Sequence, residues 1–379
     1  MSTHRVILWG AGAVGDYLLR YLADRPDLEL VGVRCYSPEK EGLDPALAAG
    51  LPPTGVTATR DTTALLATDA DCVIFTPRSA LTDHTAPGSP DAPLEEELLA
   101  ILAAGKNVVS PIGSFMHWRN LADGRASFDR INKACHDGNV SAYFTGIDPG
   151  YTDCVLGATL ASLTGEISQI RSYEMLDYRT YAITDSIAAM GFGMKPEDVP
   201  NTVEPILATW AGSVHTLADA CGLVLDDVVF DGDIWISPET YTPENGLTVH
   251  AGTVGAIRFS LTGIVDGHER LQLNHVNRLG AHAAPGWPSV GDAGGYRIEI
   301  DAFPPIRAEF PFGLPGGTGD GLRDALAFTA GRLLNSIDPV VAARSGHLTP
   351  NDLLQIGPRN AMSATTKPAN SAGEPSARR

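Results

Sequence analysis

Through residues 1–150, short apolar runs alternate with amphipathic stretches of helical period. The runs at 6–9, 29–36, 56–59, 72–76, 108–110 and 142–145 have the length and residue types of buried strands. Between them, 13–22, 62–66, 94–104 and 128–136 repeat apolar positions at helical spacing and predict helices that each cover one face of a sheet. Such β–α alternation predicts an α/β domain built on a Rossmann-type, doubly wound parallel sheet. Beyond about residue 147 the texture changes. A helix is expected at 154–163, an alternating strand at 167–176, and a longer helix at 200–221 with Leu207, Trp210, Val214 and Leu217 on one stripe. Long β-rich runs follow at 223–236, 247–265, 269–279 and 295–302, separated by turn signals such as "VDGHE". They read as an antiparallel meander or open sheet. A closing helix is expected at 322–335. The domain plan is therefore a dinucleotide-type domain at 1–147 and an α+β substrate and dimerisation domain at 148–317. A helical segment at 318–357 packs back on the first domain, and a polar, low-complexity tail at 358–379 is expected to be disordered.

The first strand runs straight into "GAGAVG", and the fit to G-x-G-x-x-G has a physical reading. Gly10 permits the tight turn, Gly12 lets backbone approach a pyrophosphate, and Gly15 lets helix and strand pack closely. The amides of Ala11, Ala13 and Val14 at the start of the helix would then face the phosphates. An NAD site usually carries an acid at the end of the second strand to bond the ribose hydroxyls. Here Cys35 and Tyr36 hold that place, and Arg34, Ser37 and Lys40 are available for a 2′-phosphate. Glu39 argues the other way. NADP is the expected cofactor and NAD the alternative. Thr76 and Pro77 in "VIFTPRS" and Gly113 in "VVSPIGSF" lie at carboxyl ends of strands, where open α/β sheets bind ligands.

Composition narrows the classes. A net charge of −18 repels phosphate backbones, so no nucleic-acid partner is expected. The longest apolar runs are far too short to span a bilayer, and the N-terminus lacks the layout of a signal peptide; a cytoplasmic protein is expected. The 5 cysteines form no CxxC pair and read as buried reduced thiols. The 10 histidines show no metal-ligand spacing, and no GxSxG elbow occurs, so neither a metal site nor a hydrolase nucleophile is predicted. The Pro-rich excursion at 81–97 reads as a lid or a plain insertion.

Several segments in fixed order carry a resemblance: "GAGAVG", "YSPEKEG", "GKNVVS", "TGIDPGYTD", "EMLDYRTY", "MGFGMKPED", "NHVNRLGAHAAPGWP" and "LLNSIDPVVAARSGHLTPNDL". Together they resemble the dihydrodipicolinate-reductase-like proteins that include 2,4-diaminopentanoate dehydrogenase and the native NAD(P)-dependent amine dehydrogenases. The resemblance implies a homodimer and hydride exchange between nicotinamide and the carbon of a small, mostly apolar ketone, imine or amine. It puts Gly146 and Asp148 beside the nicotinamide end, with Asp148 accepting from the carboxamide or binding an ammonium. The His-His segment and lysine of the true dihydrodipicolinate reductases are missing. So is the glutamate that orients ammonia in the amine dehydrogenases: residues 110–115 read SPIGSF, with no carboxylate at Gly113 or Ser114. Glu174 is the candidate replacement, with Tyr178 or Tyr181 as donor to a carbonyl oxygen. His282 and Trp287 are expected to line a substrate pocket, and His275 reads as structural before catalytic. Two rivals stay open: a carbonyl or imine reductase that needs no ammonia, and an inactive dinucleotide-binding sensor.

Overall fold

A computed structural model describes residues 3–78, 92–113, 125–181, 187–188, 190–199 and 210–361. Residues 81–91 of the Pro-rich excursion, Ser114, the first half of the helix expected at 200–221, and the tail from 362 lie outside the described residues. Among those described, no helix is long and apolar enough to cross a membrane. The chain divides into two compact units: 1–147 with 326–379, and 148–325.

The first unit follows the predicted alternation. Its elements are β1 (His4–Trp9), α1 (Ala13–Leu22), β2 (Leu28–Arg34), α2 (Pro45–Ala48), β3 (Ala58–Thr59), α3 (Thr62–Ala67), β4 (Cys72–Phe75), α4 (Ala92–Ala103), β5 (Asn107–Ser110), α5 (Arg125–Gly138) and β6 (Ser141–Phe144). The sheet is parallel, and β1 lies between β2 and β4, so strand order reverses beside the glycine turn. Successive residues of β1 serve opposite faces, as the pleat requires. Val6 and Leu8 join α1 in one core, and Ile7 and Trp9 join α4 and α5 in the other.

A seventh strand corrects the sequence reading. The segment 318–357 looked wholly helical, yet β13 (Gly346–Leu348) extends the sheet parallel to β6. Three residues are too few to show a period, and pairing with a strand two hundred residues away fixes them. The closing helix is longer than expected, Gly321–Val341, and its Ala330, Leu333, Leu334, Ile337 and Val340 fill the α1-side core. Residues 358–361 of the expected tail are described, and Arg359 bonds Asp338 at 2.6 Å.

The second unit carries a π-helical turn (Tyr151–Leu156) leading into α6 (Gly157–Ala161), then β7 (Gly165–Asp177), α7 (Ala211–Ala220), β8 (Asp227–Ile236), β9 (Val254–Val265), β10 (His268–Arg278), β11 (Gly295–Phe303) and β12 (Ile306–Pro311). The closing helix, labelled α8, begins here. The six strands lie in the order β12-β11-β7-β10-β9-β8. Only β8-β9-β10 is the expected meander; β7 enters beside β10 in parallel, so the sheet is mixed. One face packs Leu261, Leu271, Leu273 and Ile298 against α6 and α7. Cys221 departs from expectation: it is exposed, whereas Cys35, Cys72, Cys135 and Cys154 are buried.

Candidate functional site

At the glycine turn the geometry meets the demands of a dinucleotide. Gly10 has φ +107°, and a Cβ there would sit 2.6 Å from the Thr76 carbonyl oxygen. The Thr76 hydroxyl donates to the Gly10 carbonyl at 2.7 Å, tying the turn to the end of β4. Gly12 stands immediately before α1, and the space its Cβ would take is open to 4 Å. A backbone clear of side chains at a helix N-terminus fits an approaching pyrophosphate. Ala11, Ala13 and Val14 occupy the same turn, and Lys40 reaches it, its Nζ donating to the Ala11 carbonyl at 3.1 Å. The Arg34 guanidinium lies 4.6 Å from the centre of the Tyr36 ring. Tyr36 donates to Glu97 at 2.6 Å, and Trp9 donates to the same carboxylate oxygen at 2.7 Å. Ser37 precedes a short 3-10 turn; Pro77, Gly113 and Gly146 are buried.

A second concentration of chemistry lies in the second unit. The sheet register places Tyr296, Glu174, His275 and Phe259 in one row across β11, β7, β10 and β9. Glu174 is 7% exposed and His275 is 2% exposed. His275 Nδ1 and Glu174 Oε1 are 3.2 Å apart, and the Tyr296 hydroxyl donates to Glu174 Oε2 at 3.0 Å. Phe259 stacks on His275 at 4.5 Å, and Trp210, immediately before α7, meets the same ring edge-on at 4.9 Å. Trp210 also donates its indole N–H to Asp148 Oδ1 at 2.7 Å, and Thr152 donates to Asp148 Oδ2 at 3.3 Å. Asp148, Glu174 and His275 thus present one ligand atom each, all within 4.8 Å of one another.

The electrostatics of this cluster favour positive charge. Burial lifts the Asp148 carboxyl well above the usual carboxylate range, and the charges of Asp153 and Glu174 lift it further; His275 and the Trp210 bond oppose them. Asp153 is also raised by burial, against bonds from Ser213 and Gly150. Burial would depress His275, but the charge of Asp148 and the bond to Glu174 outweigh it, so imidazolium is favoured. Burial and the neighbouring Glu174 push the phenols of Tyr178 and Tyr296 well up, keeping them neutral donors. Three carboxyls thus face one histidine, and desolvated negative charge calls for protons or a bound cation. The donors already aimed at Asp148 and Glu174 leave lone pairs suited to N–H groups.

The structure brings together Asp148 and Glu174, which the sequence singled out separately. Tyr178 and Tyr181 pack edge to face at 5.7 Å beside the apolar cluster of Phe192 and Ile257. His282 and Trp287 lie elsewhere: exposed His282 contacts Tyr241 at 4.3 Å, and Trp287 packs under Arg258 at 4.9 Å. Sequence reasoning missed Tyr296 and Trp210 as site residues and set His275 aside as structural. Strand register is a long-range property, and no local spacing reports it.

No protein-family model matches the chain. It is 32% identical, over 346 residues, to an amine dehydrogenase from Streptomyces virginiae, spanning 90% of this chain and 93% of that protein. In fold it is similar to an amine dehydrogenase from Mycobacterium smegmatis, with TM-score 0.72 and 17% identity, over 95% of this chain and 98% of that one. A probable dehydrogenase from Thermotoga maritima gives TM-score 0.58 at 13% identity, over 92% of each chain. A scyllo-inositol dehydrogenase from Lactobacillus casei, solved with NAD(H) and scyllo-inositol, gives 0.52 at 14% identity over 93% of each. At these identities the structural likenesses establish the fold.

Proposed function

The chain belongs to the amine dehydrogenase family and is an oxidoreductase, and on that premise we propose that it interconverts a small ketone plus ammonium with the primary amine, using NAD(P). The finer placement, among dihydrodipicolinate-reductase-like proteins near 2,4-diaminopentanoate dehydrogenase, rests on the motifs of the sequence. NADP is the proposed partner of the glycine turn. Supporting it are the absence of a carboxylate at Cys35 or Tyr36 and the presence of Arg34, Ser37 and Lys40.

The observation that carries the reading is the meeting of Asp148, Glu174 and His275 within 4.8 Å. A tetrahedral nitrogen bonded at about 2.9 Å to two oxygens requires them to lie about 4.7 Å apart. Carboxylate oxygens of Asp148 and Glu174 that lie within 4.8 Å of each other let one ammonium bond both and answer the surplus negative charge. These residues replace the glutamate missing after β5.

The proton chemistry follows from the shifts. Asp148, raised, accepts a proton from ammonium and frees the nitrogen lone pair to attack the carbonyl carbon. That proton passes from Asp148 to the carbonyl oxygen; Asp148 then takes a second proton from the nitrogen as His275 gives one to the hydroxyl, which leaves as water, and the proton on Asp148 returns to His275. The resulting iminium carbon is what a hydride reduces. When bound, the reduced nicotinamide supplies that hydride, and the sum is ketone, ammonium and NAD(P)H giving amine, NAD(P)⁺ and water. Glu174, fixed by Tyr296, holds the nitrogen throughout.

The test is to follow nicotinamide absorbance with NADPH, then NADH, against a ketone panel with and without ammonium. Oxidation that requires ammonium is the expected result. Equal oxidation without it would instead make the chain a carbonyl reductase, and tight cofactor binding without turnover would make it a sensor.

A further inference from the structure

Asn277 has no part in the scheme above, and its position demands one. It follows His275 by two residues on β10, so both point to the same face of the sheet. In the next row it lies between Leu176 of β7 and Ile257 of β9. The residue is 2% exposed, and its Oδ1 is shut off from solvent without a hydrogen-bond partner among the described residues. Buried amide oxygens are nearly always paired, so an exception calls for a partner from outside the chain, such as a water or a ligand. Its cross-strand neighbour Ile257 belongs to a cluster with Ile187, Phe192, Val254 and Leu279, against which Tyr178 and Tyr181 pack, so the wall is mainly apolar with neutral phenols at its edge. An acceptor in an apolar wall selects a neutral donor, whereas a carboxylate there would face it with like polarity.

We propose that Asn277 is a specificity-determining residue that accepts a hydrogen bond from a hydroxyl group on the substrate. The inference rests on the amine dehydrogenase reading, with the substrate nitrogen held at Asp148 and Glu174. Two residues along a strand span roughly 7 Å, and a chain of five bonds spans roughly 6 Å. The substrate class is thus an amino alcohol, or its hydroxyketone, with the hydroxyl up to about five bonds from the nitrogen.

The test uses two matched amines, 4-aminopentan-1-ol and 2-aminopentane, and the ketones from which they form. Calorimetric affinities are measured on the NADP⁺-bound protein and on its Asn277→Leu variant, which keeps the volume and removes the acceptor. The wild type is expected to bind the amino alcohol about ten-fold more tightly, and Asn277→Leu to bind both amines equally while retaining its melting temperature. Equal affinities in the wild type, or a preference that survives Asn277→Leu, overturns the proposal. Ammonium-dependent turnover of pentan-2-one, measured alongside, reports on the underlying amination instead. No affinity difference in the wild type with its turnover intact rejects Asn277 alone, and a wild-type difference without turnover rejects the amination.

Discussion

At the scale of single residues, the account turns on how a few side chains share protons. The folded state raises Asp148 and His275, so between each unfolded pKa and its folded value the native protein binds more protons than the unfolded chain. Stability contributed by these groups is therefore full at low pH and falls as pH rises, from about pH 4 for the carboxyl and about pH 6.5 for the imidazole. Asp148→Asn removes one of these groups and, by lifting its charge from His275, shrinks the other's shift. Urea midpoints measured from about pH 5 to pH 8 should fall with a shallower slope in Asp148→Asn than in the wild type; parallel slopes would count against the cluster's electrostatics. Asp148 was legible in the sequence through its place in "TGIDPGYTD", and Glu174 through strand alternation. Tyr296 and Trp210 were not, because what makes them site residues is the acid each bonds after the chain has folded.

At the scale of elements, local pattern and long-range pairing divide the outcome. The β–α period of the first unit is written in contiguous residues, and α1 begins and ends at the predicted positions, Ala13–Leu22. The mixed sheet of the second unit was read only in part, since nothing local requires β7 to lie parallel to β10. The glycine turn offers a contrast that separates folding from binding. Gly10→Ala places a side chain at φ +107° and 2.6 Å from a carbonyl oxygen, and should cost about 1–3 kcal/mol, read as a lower melting temperature. Gly12→Ala meets nothing within 4 Å, so its melting temperature should stay near that of the wild type while dinucleotide affinity drops about ten-fold or more. A Gly12→Ala variant that binds NADPH normally would remove the pyrophosphate from this turn.

At the scale of the whole molecule, the division of labour is between a unit that carries the cofactor turn and a unit that carries the acids. The net charge of −18 does not oppose an anionic cofactor, because backbone amides act at short range while distant charges are screened. Arg34→Ala should weaken NADPH about ten-fold and NADH little, as loss of a charge-assisted bond to a 2′-phosphate requires; equal weakening of both would assign Arg34 to packing on Tyr36. The central claim is that the nitrogen of the product comes from ammonium held at Asp148 and Glu174. The most direct measurement is mass spectrometry of the amine formed from a ketone, NADPH and ¹⁵N-ammonium by the wild type and by Asp148→Asn. The account predicts fully labelled amine from the wild type and about 10–100-fold less from the variant, the value of one charge-assisted bond. Undiminished labelling by Asp148→Asn, or an alcohol as the wild-type product, would contradict it.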